Sequence, residues 1–263
     1  MPTHETIRAA VTGPVRVHLD GHTGLVNVTV DPDAVSATVS IYTQEADGPS
    51  THAVTSTTHR TVTHGCGHIL QVGIPAAQHD FSRTISGLNS TSVHNVIGPG
   101  VTINGSVIMS GGVITDGRPD AEDGTPIEIE MTLPTGSSLT LTGGGPDLKV
   151  EGTLAELNVE ATNSSILCGP VGSAVVTIVS GRIDIDEVFT SARLSTVNGP
   201  IEVAQYSGHE LSASSVNGSL SLTATDRASG RADLTTVNGS ITTRKAEHLQ
   251  ITASTVHGSI FRR

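Results

Sequence analysis

The chain has 263 residues, of which 15% are charged and 2% aromatic, with 29 glycines, no tryptophan and a formal net charge of −11. That length carries one or two domains with a buried core and no covalent staples, and a core so poor in aromatics must be filled by small and β-branched side chains, which suits narrow repetitive β architectures. The acidic balance lacks the Lys/Arg surplus on which phosphate binding rests, so nucleic acid is not expected as a partner.

No run of eighteen or more apolar residues occurs, so no membrane span is expected. The opening MPTHETIRAAV has neither the basic nor the apolar region of an export signal, which favours the cytoplasm or a larger assembly over ordinary secretion. Cys66 and Cys168 are too few and too far apart for a disulfide framework. Neither has a Cys-X-X-Cys neighbour, so both read as small buried or half-buried residues rather than reactive thiols.

From Ile7 to Pro75 short alternating segments are separated by turns such as DPDAV and EADGPS, and no stretch shows helical periodicity. This part is expected to be a small antiparallel β-region. Within it, HRTVTHGCGHIL gathers His59, His64, Cys66 and His68. On one extended strand His64, Cys66 and His68 share a face, and imidazole with thiolate suits zinc or copper. Gly65 and Gly67 suit a hairpin tip equally well, with the histidines facing water, and no metal site is assigned. The passage from Ile74 to Ser92 reads as a linker, so the first segment is taken as 1–87.

VTINGSVIM, from Val101 to Met109, introduces a phrase that returns later, and a β-solenoid is therefore expected over 88–263. TDGRPDAEDGTP, near 115–126, interrupts it as an exposed loop. Its Asp116, Asp120, Glu122 and Asp123 are oxygen ligands of the type calcium takes, but the Asp-x-Asp-x-Asp-Gly order is missing and a solvated acidic turn is the plainer reading.

The chain then writes STVNGPIEV, SSVNGSLSL, TTVNGSITT and STVHGSIFR. Their valines, Val197, Val216, Val237 and Val256, stand 19, 21 and 19 residues apart, a solenoid period. Looser copies at TIVSGRIDI, EATNSSILC and LTLTGGGPDLKV extend the expectation to six or seven coils of about 17–21 residues. Strand alternation puts Ala192, Leu194 and Thr196, and their counterparts in later copies, on an inward face. After the corner Ile201 and Val203, Leu220 and Leu222, Ile241 and Thr243, and Ile260 are expected to resume it, while Glu202, Ser221, Thr242 and Phe261 point out.

At each corner the glycine is expected to accept positive φ. Asn198, Asn217 and Asn238 would bond one above another as a ladder if the coils stack in parallel. His257 replaces the last Asn, where a rung has a neighbour on one side only. Asn-Gly hairpins in an antiparallel meander are the alternative, but constant spacing with constant flanks favours parallel coils. The four valines follow an inward Thr or Ser. Strict alternation would make them an outward interaction stripe, and a bend at the corner would instead tuck them into the core, the slightly preferred arrangement.

Copies of T-V-N-G-S-I at this spacing, preceded by IEIEMTLPTGSSLTL and opened by GPVRVHLDGHTGLVNVTVDPDAVSATVSIYT, resemble the bacterial putative adhesin domain family. The resemblance implies β-solenoid proteins of largely unassigned function, with an opening β-segment ahead of the coils.

Catalysis has one candidate. Asp184 and Asp186 alternate outward beside Glu202 of the next coil, and paired carboxylates are what glycoside cleavage needs. Outward strand positions are ordinarily polar, however, and the aromatics that stack on sugars are scarce. No Gly-x-Ser-x-Gly elbow, Walker loop or dinucleotide fingerprint is present, and GGGPDLKV is a poor phosphate loop, so no cofactor is expected.

The expected protein is therefore all-β and non-enzymatic, a short antiparallel N-terminal region followed by a parallel solenoid acting as scaffold or adhesin-like module. Its partner would be another protein or itself, as in a filament or virion component. The last copy ends in SIFRR without a long cap, and Arg262 and Arg263 supply the charge that discourages edge pairing.

Overall fold

The structure, a computed structural model, describes residues 3–21, 24–64, 67–75 and 126–263. VTINGSVIM and the acidic loop, with Asp116, Asp120, Glu122 and Asp123, lie outside the described residues. In chain order the first elements are β1 (Thr3–Arg8), β2 (Arg16–Asp20), β3 (Gly24–Asp31), β4 (Thr38–Thr43), α1 (Pro49–Thr55), β5 (Thr58–His64), β6 (Gly67–Gly73) and β7 (Ile127–Pro134).

The coils follow as pairs of arms: β8 (Ser138–Gly143) with β9 (Pro146–Glu151), β10 (Leu154–Asn163) with β11 (Ile166–Cys168), and β12 (Val171–Ser180) with the first half of β13 (Ile183–Asn198). The second half of β13 pairs with β14 (Ile201–Tyr206) as the next coil. Then come β15 (Glu210–Asn217) with β16 (Leu220–Ala224), β17 (Arg231–Asn238) with β18 (Ile241–Arg244), and β19 (Gln250–His257) with β20 (Ile260–Arg262).

Like arms hydrogen-bond in parallel from coil to coil, giving seven coils and two faces. The first face runs through β8, β10, β12, the second half of β13, β15, β17 and β19. The second runs through β9, β11, the first half of β13, β14, β16, β18 and β20. The fold is thus all-β with a parallel solenoid, as the repeat spacing leads one to expect.

The N-terminal strands prolong both faces. β2 lies parallel to β8 and β3 parallel to β9, so these two arms form a coil stacked on the first repeat. Beyond β2 the first face continues with parallel β6 and antiparallel β5. Beyond β3 the second continues with parallel β7, then β4 and β1, both antiparallel. Antiparallel pairing, expected throughout this region, thus marks its outer strands, whereas β2 and β3 obey the solenoid's register.

One short helix, α1, was not legible in the periodicity of the sequence. Seven residues are too few to display a 3.6-residue period, and the EADGPS stretch reads as a turn. Pro49 opens the helix where a missing N–H costs nothing, and the Glu45 carboxylate accepts a hydrogen bond from the Ser50 N–H at 2.8 Å. Buried Ala53 and Val54 hold the helix against the N-terminal strands.

The core is the thin layer between the two faces. On the first face its rows alternate in size from coil to coil: Ala192, Leu211 and Ala232 share one row, and Leu194, Ala213 and Leu234 the next. All six are buried. Within these three coils a leucine therefore lies next to alanines both along its strand and in register, which suits a thin layer in which Tyr206 is a buried aromatic. Ile201, Leu220 and Ile241, together with Val203 and Leu222, close it from the second face. No single coil could bury its apolar face alone, so stability comes from stacking.

Candidate functional site

The corner phrase Ser/Thr-Val-Asn-Gly assigns one task to each of its four residues. The inward hydroxyl reaches the corner glycine of the preceding coil: Ser215 donates to the Gly199 carbonyl at 3.1 Å, Thr236 to Gly218 at 2.9 Å and Thr255 to Gly239 at 2.9 Å. A half-buried corner carbonyl is thereby given a donor. Thr196, one coil earlier, is buried and its hydroxyl has no hydrogen-bond partner among the described residues.

The asparagines form a row at the exposed edge. Asn217 donates to Asn198 Oδ1 at 2.8 Å and Asn238 to Asn217 Oδ1 at 2.8 Å. His257 stands in register with Asn238.

The expected positive φ holds at the first of these corners, Gly199 (φ +156), and not at the three that follow, Gly218, Gly239 and Gly258. A methyl group on any of them would instead overlap the carbonyl oxygen of the glycine one coil below, at Gly199, Gly218 and Gly239 respectively. Close approach of backbones, rather than left-handed conformation, requires glycine there.

The valines point outward. Val197 and Val216 are each 40% exposed, Val237 36% and Val256 67%. Register adds Val179, also exposed, to the same row, since Ile178 faces Thr196 and Ser180 faces Asn198. Beside it, two residues back along each strand, runs a row of Thr177, Ser195, Ser214, Thr235 and Ser254, within which Ser214 donates to Ser195 at 3.2 Å. Five coils at about 4.8 Å each make these two rows a flat strip on the order of 20 Å long that carries no charge.

The other candidate residues are arranged differently. Asp184 and Glu202 are in register on the second face, and Arg182 bonds both, at 2.9 Å each. The guanidinium thus occupies the space between the two carboxylates. Asp186 is exposed on the same strand and makes no ion pair among the described residues.

His64 and His68 do not share one extended strand: β5 and β6 are an antiparallel hairpin in which His64 faces Gly67. Thr63 Oγ1 and His68 Nδ1 are 3.1 Å apart across it. Cys66 and the His64 side chain lie outside the described residues. Among the described residues no group of three His, Cys, Asp or Glu could hold a metal ion, and no helix is long and apolar enough to cross a membrane. Cys168 is buried, and burial, reinforced by the Asp186 charge, pushes its thiol up to about 12.

A two-faced parallel stack with a repeated Ser/Thr-Val-Asn-Gly corner defines the protein as a β-solenoid module. The chain belongs to the Toastrack DUF4097 family, whose model matches residues 104–262. Among solved structures it is similar in fold to a putative adhesin from Bacteroides fragilis, with a TM-score of 0.54 at 12% identity over 99% of this chain and 97% of that one. A putative cell adhesion protein from Clostridium sporogenes matches with a TM-score of 0.41 at 10% identity, covering 100% of this chain and 99% of that one. A putative lipid binding protein from Parabacteroides distasonis gives 0.35 at 13% identity, over 99% and 94%. No curated protein matches the chain.

Proposed function

We propose that the protein is a non-catalytic interaction module, a rigid solenoid that presents the valine row and the Ser/Thr row beside it to a protein partner. The observation that carries this reading is the row itself. Five β-branched apolar side chains stand outward in register on a stiff, uncharged strip, where solvent-facing strand positions are ordinarily polar. The description of the Bacteroides fragilis protein as a putative adhesin agrees with a role in contact rather than turnover. The rigidity of stacked coils keeps the ordering cost of binding low.

A carbohydrate-active reading through Asp184, Asp186 and Glu202 has less support. Arg182 clamps two of the three groups, whereas glycoside cleavage needs one carboxyl held protonated and open space between the pair.

A photoreactive residue at Ser214, on the strip, and another at Ser221, on the opposite face, test the proposal in the cells that make the protein. Discrete adducts from Ser214 and none from Ser221 are expected. Equal adducts from both positions, or none from Ser214, would overturn it.

A further inference from the structure

We infer that the partner of this strip includes a second copy of the chain, packed face to face about a two-fold axis parallel to the strands. The inference rests on the interaction reading above and names its occupant.

The charge pattern next to the strip is self-complementary about one coil. Inward of the Ser/Thr row a third outward row contains Val175, Arg193, Ser212, Asp233 and Thr252 in register. Arg193 is exposed and has no ion-pair partner among the described residues. Asp233 lies two coils away, with Ser212 between them.

An axis along the strand through Ser212, Ser214 and Val216 inverts the order of the coils and keeps each row opposite itself. Arg193 then meets Asp233 of the second copy, and Asp233 meets its Arg193. The same operation sets Val197 against Val237, Val179 against Val256, Val216 against itself and Ser195 against Thr235. No charge is placed against an apolar residue in these rows. At the rim Glu210 faces its own copy, but Arg231 is its register neighbour and stands beside it.

Asp233 already bonds Arg231 at 3.0 Å, in a pair whose side chains are 62% and 36% exposed. Such a pair holds the carboxylate weakly, and an incoming guanidinium shares it without breaking a buried contact.

Size agrees with reversible association. Five coils by about seven strand residues give roughly 500 Å² per copy and about 1,000 Å² in all, at the low end of specific interfaces, where weak and transient contacts fall. Two such faces pack about 10 Å apart with interdigitated side chains.

Sedimentation of the purified chain across the micromolar range tests the inference. The wild type should show twice the 26.9 kDa chain mass at the upper end. Arg193→Asp alone sets two Asp pairs face to face, and Asp233→Arg alone sets two Arg pairs, so each should weaken association tenfold or more. An equimolar mixture of the two variants restores both opposite-charge pairs and should form a one-to-one dimer close to wild-type strength. A wild type that stays monomeric throughout, or a mixture no stronger than its components, would overturn the inference. In either case Ser214 adducts to a different protein would leave the interaction reading standing, and their absence would remove it as well.

Discussion

Asn238 donates from Nδ2 to Asn217 Oδ1 at 2.8 Å, although 21 residues of chain separate them, and Asn217 passes the same bond to Asn198. Asn217 is therefore the rung that both donates and accepts. Asn217→Ala should lower stability by about 1–2 kcal/mol, two modest exposed hydrogen bonds, while His257→Asn should change it by under about 0.5 kcal/mol. Chemical denaturation of both variants checks the contrast.

The hydroxyl row separates two substitutions of the same type. Thr236→Val removes the donor to the Gly218 carbonyl and should cost about 1–3 kcal/mol. Thr196→Val removes a buried hydroxyl without a hydrogen-bond partner among the described residues and should be neutral or stabilising. The urea midpoint should fall for Thr236→Val and stay in place or rise for Thr196→Val.

Close stacking of the corners makes Gly218→Ala costly. Its methyl would meet the Gly199 carbonyl and the Ser215 hydroxyl, and either coil must shift to admit it. A loss of about 1–3 kcal/mol is expected, read as a lower melting temperature.

Much of this was legible in the sequence, because a parallel solenoid writes its period into the chain. The 19- to 21-residue spacing of the valines equals the register shift between stacked arms, and the inward positions of Ala192, Leu194 and Thr196 follow from strand alternation alone. The role of glycine was not legible, since positive φ and a close backbone neighbour leave the same residue behind. Nor was the placement of β2 and β3. Their solenoid partners β8 and β9 are more than a hundred residues away, and an alternating strand carries no mark of which way its neighbour runs. The valine row was visible as a pattern but ambiguous in direction, because a bend at Asn-Gly could have turned it inward. The Arg182 clamp on Asp184 and Glu202 joins adjacent coils, so spacing suggested the carboxylate pair without showing the cation between them.

Cys168 gives the protein an alkaline liability. In the unfolded chain its thiol ionises near the reference value of 9.0, but in the fold not until about 12, because burial and Asp186 disfavour the thiolate. A raised native value favours folding fully below pH 9 and loses that contribution as pH climbs toward 12. Stability should fall by about 1.4 kcal/mol per pH unit once above 9 from this group. Buried Tyr206, also pushed up, adds to the loss only beyond 10. Comparison of wild type with Cys168→Ala between pH 8 and about 10 isolates the thiol, and the variant should be the flatter of the two.

The valine row decides whether this solenoid acts through its face. Val216→Asp alters an exposed strand position, so the chain should melt cooperatively within about 4 °C of the wild type. In that folded background the yield of adducts from a photoreactive Ser214 is the direct measurement. A collapse of the adducts is the expected result, and wild-type yield from a folded Val216→Asp chain would contradict the row's role as a contact surface.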